Sequence, residues 1–319
     1  MMIMMMKNFL RCLLIFCIVV MGIICIGCKN DSPPQFPTEN EKNTVYPASD
    51  PENKGGWELV EALSDEFNGA KLDKSKWNND VEDWGVWSWE PELAFVRDSM
   101  LVIKMIQETH NRDGNEYYYK SGIVRNEQTS VYGYYEARIK GCQRFPGASP
   151  AFWMYSIGLP TPTEEGGVQY CEIDVCELQQ ANYDFETKTY DGPNVIDMSC
   201  PARIILNGEL TWLRAGTHPE ICKTKWVAPW DAREDFHTYG VECRPDSIIW
   251  YVDGIERARK LNLYWHYPMH ITVSMGLRRP FVKYINGVRY AVSEATTQEG
   301  FPTEMYCDYV RVWIRNYDK

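Results

Sequence analysis

From Trp57 onward the chain alternates short apolar-rich runs with turn residues, and apolar positions at helical spacing are scarce. Leu101–Ile106, Gly133–Ile139, His270–Ser274 and Tyr309–Ile314 are rich in β-branched and aromatic residues, which suit a pleated, half-buried surface. Ile248–Val252 runs into Asp253-Gly254, a dipeptide that favours the two positive φ angles of a tight hairpin turn. The pattern predicts one all-β domain, a β-sandwich, over residues 56–319. Ile157–Gly167, Gln179–Cys200 and Leu213–Pro229 carry no such period. Irregular stretches of this length are often functional, and these are expected to wall a cleft.

The beginning of the chain differs in kind. Lys7 and Arg11 precede an apolar run from Leu13 to Ile26, long enough for a signal peptide and short for a membrane span. The run ends at Ile26-Gly27-Cys28, so residues 1–27 are expected to be a lipoprotein signal peptide. Cys28 would then be the acylated residue that anchors the chain to a membrane. Cys25 departs from the aliphatic residue usual at that place, and an ordinary signal peptide with an incidental cysteine is the alternative. Lys29-Asn30-Asp31 resembles a surface-export signal, which points to the outer membrane or cell surface, with the periplasmic side also open. Residues 28–55, rich in Pro, Asn, Asp, Glu, Ser and Thr, read as a flexible tether.

Composition narrows the partners. A formal charge of −11 offers no basic footprint for nucleic acid. It does not exclude an anionic polysaccharide, because exposed charge is screened beyond about 8–10 Å and the lining of the cleft matters more. Aromatics make up 13% of the chain, with 12 Trp and 20 Tyr, and such rings can stack on the C–H face of a sugar. The cysteines beyond the leader are odd in number and lack a CxxC pair, so they form neither a disulfide scaffold nor a zinc site by spacing. A Cys200–Cys222 pair is compatible with export. Most are expected to be small buried apolar residues.

The chemistry concentrates in Glu172-Ile-Asp-Val-Cys-Glu177. In a strand Glu172 and Asp174 share a face, while strict alternation would turn Glu177 into the apolar layer, where an unpaired carboxylate is costly. One β-bulge between residues 174 and 177 returns Glu177 to its neighbours. Three close carboxyls cannot all ionise, and one ionised plus one protonated carboxyl is what glycoside hydrolysis uses. Glu172 is the expected nucleophile, Glu177 the general acid and then base, and Asp174 a hydrogen-bonding partner that influences Glu172. A solvated acidic edge strand or a Ca²⁺ site would use the same residue types.

The hexapeptide resembles the bulged E-x-D-x-x-E signature of glycoside hydrolase family 16. Ser149-Pro-Ala-Phe-Trp-Met-Tyr155, Leu210-Thr-Trp-Leu-Arg214, Asn262-Leu-Tyr-Trp-His266 and Met275-Gly-Leu-Arg278 are similar to its κ-carrageenase-like branch. The resemblance implies a concanavalin-like jelly-roll β-sandwich with a concave substrate cleft. It also implies retaining endo-cleavage of β-1,4 bonds in a sulfated algal galactan, with the roles just given to Glu172, Asp174 and Glu177. By the same resemblance Trp153 stacks near the cleavage point, and Trp212, Arg214 and Arg278 contact sulfated galactose. The planar donor fork of arginine suits sulfate oxygens. Trp84, Trp87 and Trp89 could form an outer stacking platform or a packed loop, and Tyr264 and Trp265 stand similarly between cleft and core. His237 reads as a satisfied structural histidine. No cofactor is required for catalysis, although a structural Ca²⁺ on the convex face could use Glu66 and Asp308. A monomer is expected. Agarase, porphyranase, furcellaran- or laminarin-type hydrolysis, and glycan binding without chemistry, are the alternatives.

Overall fold

The computed structural model describes residues 45–184, 188–285 and 287–317. The expected signal peptide, Cys28 and most of the expected tether lie outside the described residues. Two antiparallel-dominated sheets, one of ten strands and one of nine, face each other as a sandwich. The strands expected from sequence are present: Met100–Arg112, Gly133–Lys140, Ser247–Val252 and Thr303–Ile314 in the outer sheet, and Met269–Leu277 in the other. Their inward side chains, among them Ile103, Tyr135, Phe152, Ile173, Val241, Trp250 and Val273, form one continuous buried core. Strand alternation therefore leaves the second face of the nine-stranded sheet free for polar chemistry.

The Asp253-Gly254 turn joins Ser247–Val252 to Ile255–Leu261 with φ of 51° and 72°, the pair of positive angles its sequence favours. A Cβ on Gly254 would also lie 2.3 Å from the Ala48 carbonyl. That close approach marks a correction to the tether. Residues 45–55, expected to be flexible, are laid against the outer sheet: Trp313 Nε1 donates to the Val45 carbonyl at 2.9 Å, and the Ala48 amide donates to Glu136 at 3.0 Å. Their polar composition hid the fact that this segment covers Tyr134, Glu136 and Trp313.

The long irregular stretches are more ordered than their composition suggested. Val195–Ser199 and Lys223–Val227 are strands that extend the nine-stranded sheet beyond the acid-bearing strand Val168–Leu178. Strands of only five residues, one of them buried along nearly its whole length and the other polar at the edge, carry little periodic signal. All seven cysteines among the described residues are free and buried. Cys200 and Cys222 are backbone neighbours, with the Cys200 amide donating to the Cys222 carbonyl at 2.9 Å, but they remain thiols.

Candidate active site

The acid strand carries the irregularity that its sequence required. Glu172, Ile173 and Asp174 pair with Tyr155, Met154 and Trp153, and then the register shifts so that Cys176 and Glu177 pair with Phe152 and Ala151. Val175 is the extra residue. On the neighbouring strand Ala148–Tyr155, residues 155, 153 and 151 share one face, so their partners Glu172, Asp174 and Glu177 do as well. Ile173 and Cys176 point into the core. Cys171 and Cys176 are buried there, and burial pushes both thiols up, away from the reactive thiolate.

A groove of about 1140 Å³ runs over these acids. It exceeds the ~300–1,000 Å³ typical of a small-molecule pocket and can take several sugar units. Ile157, Gly158 and Leu159 wall it, as expected of that loop. Glu172 accepts from Tyr170 Oη, and Asp174 accepts from Ser199 Oγ. Glu177 accepts from Gln180 Nε2 at 2.6 Å and from an Arg278 guanidinium nitrogen at 2.7 Å. Burial first, opposed by the Tyr170 hydrogen bond and reinforced by the charge of Glu177, pushes Glu172 up to about 7. Burial and then the charges of Glu172 and Glu177 drive Asp174 well above the usual carboxylate range. The cluster therefore keeps protons at neutral pH, as close carboxyls must.

Backbone anchors hold the strand in this register. Trp250 Nε1 donates to the Asp174 carbonyl at 2.9 Å, and Trp265 Nε1 donates to the Glu172 carbonyl at 2.8 Å. Trp265 is fully buried, which decides between cleft and core and corrects the cleft reading: it supports the acid-bearing strand from inside. Its indole N–H is satisfied by backbone. Trp153 does line the groove, stacked on Tyr155 with ring centroids 4.6 Å apart, and its Nε1 donates to Ser274 Oγ at 3.0 Å. Trp84 lies 6.3 Å from Trp153 at the groove wall and is 36% exposed, while Trp87 and Trp89 behind it are buried. Trp212 also lines the groove, with Arg214 over its ring at 4.3 Å. His237 is a satisfied residue of the outer sheet, bonded to Asp253 at 2.8 Å and stacked on Trp230.

Five arginines reach the groove, against the two expected. Arg125, Arg203 and Arg289 were missed because a lone Arg in a strand shows its face only once register is known. Arg203 pairs across strands with Tyr170 on one side and Trp212 on the other, which puts it on the groove face. Arg125 donates to Tyr155 Oη at 3.2 Å, and Arg289 lies over Trp87 and donates to Tyr284 Oη at 3.0 Å. Arg214 donates to the Gly287 carbonyl at 3.3 Å. The groove of this acidic chain thus carries arginines alongside Asp80, Glu82 and the three acids of the strand, cations that an anionic polymer could meet locally.

Glu66 and Asp308 do not fit the Ca²⁺ expected of them. Arg311 grips both Glu66 oxygens at 2.6 and 3.0 Å, and Arg138 donates to Asp308 at 2.5 Å. A Ca²⁺ shell needs several free oxygens, and these are already neutralised by arginine.

A family model described as the GH16 domain of β-porphyranases A–D matches residues 57–314. The chain belongs to glycoside hydrolase family 16. It is 44% identical over 270 residues to the κ-carrageenase of Pseudoalteromonas carrageenovora, covering 81% of this chain and 65% of that protein's length. The crystal structure of that enzyme with an oligotetrasaccharide of κ-carrageenan superposes with a TM-score of 0.74 at 42% identity, covering 81% of this chain and 95% of that one. The κ-carrageenase of Zobellia galactanivorans gives 0.75 at 37% identity, covering 82% and 96%. The likeness makes the sandwich a family 16 jelly roll.

Proposed function

We propose that this family 16 chain is a retaining endo-hydrolase of β-1,4 bonds in a sulfated algal galactan, most closely κ-carrageenan. One observation carries the reading: the bulge at Val175 sets Glu177 beside Asp174 and Glu172 on the groove face. Glu177 protonates the leaving oxygen while Glu172 attacks the anomeric carbon and forms a glycosyl-enzyme. Glu177 then takes a proton from water as the bond to Glu172 breaks. Asp174 lies about 7 Å of strand from each glutamate, two residues away in effective register. Its protonated carboxyl hydrogen-bonds Glu172 and steadies the charge that returns there.

Carrageenan is favoured over the porphyran suggested by the family model because of the 44% identity, while the arginines in the groove favour a sulfated galactan over a neutral one. Incubation of purified protein with κ-carrageenan, porphyran and neutral agarose tests the choice. New reducing ends are expected first and fastest on κ-carrageenan. Fastest release from porphyran supports the second reading, and binding without scission would leave a surface glycan-binding protein. We further propose attachment to a membrane through Cys28, with the polysaccharide met at the cell surface. Palmitate labelling, with globomycin trapping a larger, uncleaved and still labelled precursor, is the expected result, and an unlabelled soluble product overturns it.

A further inference from the structure

On the side of the acid strand away from Trp153, Glu177 faces a fourth acid. Glu177 and Asp197 are cross-strand partners, and Asp197 in turn faces Lys225. Partners of this kind hold their Cβ atoms about 4.5–5.5 Å apart on one face of the sheet. Asp197 is only 7% exposed. Lys225, the cation beside it, is engaged elsewhere: its Nζ pairs with Asp191 at 3.1 Å and Asp184 at 3.3 Å. Asp197 receives a neutral hydrogen bond instead, from Asn182 Nδ2 at 3.1 Å.

Among the described residues, the charged groups that act on Asp197 are Glu177, Asp191, Lys223 and Lys225. Burial, then the charges of Glu177 and Asp191, push it up to about 7 against the pull of the two lysines. On its other flank Glu177 accepts from Arg278 and Gln180, donors that favour a charged carboxylate. A general acid must nevertheless begin the cycle with a proton.

We propose that Asp197 is a positioning residue for the acid/base, a fourth carboxyl that holds a proton beside Glu177 and exchanges it with Glu177 during turnover. The inference rests on the acid/base role proposed for Glu177. In the exchange the Asp197 O–H bond breaks as the Glu177 O–H bond forms, so the pair keeps a single negative charge and needs no other reactant. When Glu177 gives its proton to the leaving oxygen, the pair becomes doubly negative. That charge makes Glu177 the stronger base toward the incoming water, whose proton restores the starting state.

Asp197→Asn keeps the shape and removes the negative charge. Glu177 then holds its proton less tightly, and the alkaline limb of kcat/KM should move about one unit to lower pH, the scale of coupling between adjacent carboxyls. A loss of rate that is uniform across pH, with the limb unmoved, would assign Asp197 to packing and overturn the proposal. A second reading needs no turnover. In protein labelled with ¹³C at the glutamate carboxyls, the Glu177 resonance, assigned with Glu177→Gln, should titrate lower by a similar amount in the Asp197→Asn protein. An unchanged midpoint sinks the inference even if the substrate proposal stands, and a shifted one upholds it even if that proposal fails. Asp197→Ser, smaller and uncharged, should move the same midpoint the same way, so the test survives an asparagine variant that does not fold.

Discussion

Both sheets bury carboxylates, and the partners they provide differ. On the outer sheet Glu66 is gripped by Arg311, Asp308 by Arg138 and Glu242 by Arg315, while Glu136 accepts from Tyr309, Tyr134 and the Ala48 amide. On the groove face Glu172, Asp174 and Asp197 receive neutral donors, Tyr170, Ser199 and Asn182, and only Glu177 has a cation. Burial is the first cause raising Glu66, Asp308, Glu172 and Asp174 alike, so the direction of the shift does not tell the groups apart. The counter-charge does. An arginine favours the ionised form of the acid it grips and makes it a brace, whereas a hydroxyl or amide leaves an acid able to take up and release a proton. Glu136, held by neutral donors alone, and Glu177, where Arg278 and Gln180 reach the same single oxygen, depart from that division.

Removing Glu172 or Glu177 should have the largest effect. Glu172→Gln and Glu177→Gln are expected to lower kcat on κ-carrageenan by at least about 10³-fold, while circular dichroism and thermal midpoint stay close to those of the parent. Retained turnover would break the contrast between the two sheets. Arg311→Met should do the reverse. It strands a buried Glu66 and is expected to cost about 3–5 kcal/mol in chemical denaturation, with kcat per folded molecule unchanged. A stability unaffected by that change would show that the outer acids are not braced as described.

Arginine in the groove gives a smaller effect. Arg278→Ala removes the proposed sulfate donor and the Glu177 partner together, so it should depress cleavage of sulfated and neutral substrates alike. Arg214→Ala is the sharper test, because Arg214 touches Trp212 and the Gly287 carbonyl but none of the acids by hydrogen bond. It should raise KM about tenfold on κ-carrageenan, the worth of one charged hydrogen bond, and leave neutral agarose unaffected. The smallest effect is on stability against pH. Glu172 has its folded value raised from 4.5 to about 7, so the folded state binds the extra proton. Its contribution is fully present below about pH 4.5 and is lost as pH rises through 7. Glu172→Gln should therefore flatten the decline in stability between pH 5 and 8, measured by urea unfolding.

The hexapeptide Glu172–Glu177 disclosed the bulge because only one register satisfies both the apolar layer and the third acid. The hairpin at Asp253-Gly254 was equally legible, since its chemistry is local. What stayed hidden depends on a partner distant in sequence. Trp265 stood between cleft and core until its indole met the Glu172 carbonyl, and Glu66 looked like a metal ligand until Arg311 took both of its oxygens. Asp197 joins the acid cluster, and Arg203 the groove, only through cross-strand register with Glu177 and Tyr170, which no local pattern encodes. The cover formed by residues 45–55 was misread for the same reason.

The most direct test of the account is proton NMR of the reaction with κ-carrageenan in its first minutes, before the new reducing ends mutarotate. Attack by Glu172 followed by water activated by Glu177 predicts that the β-anomer appears first and the α-anomer grows in later. An α-anomer that leads, or a polymer left uncut, would contradict it.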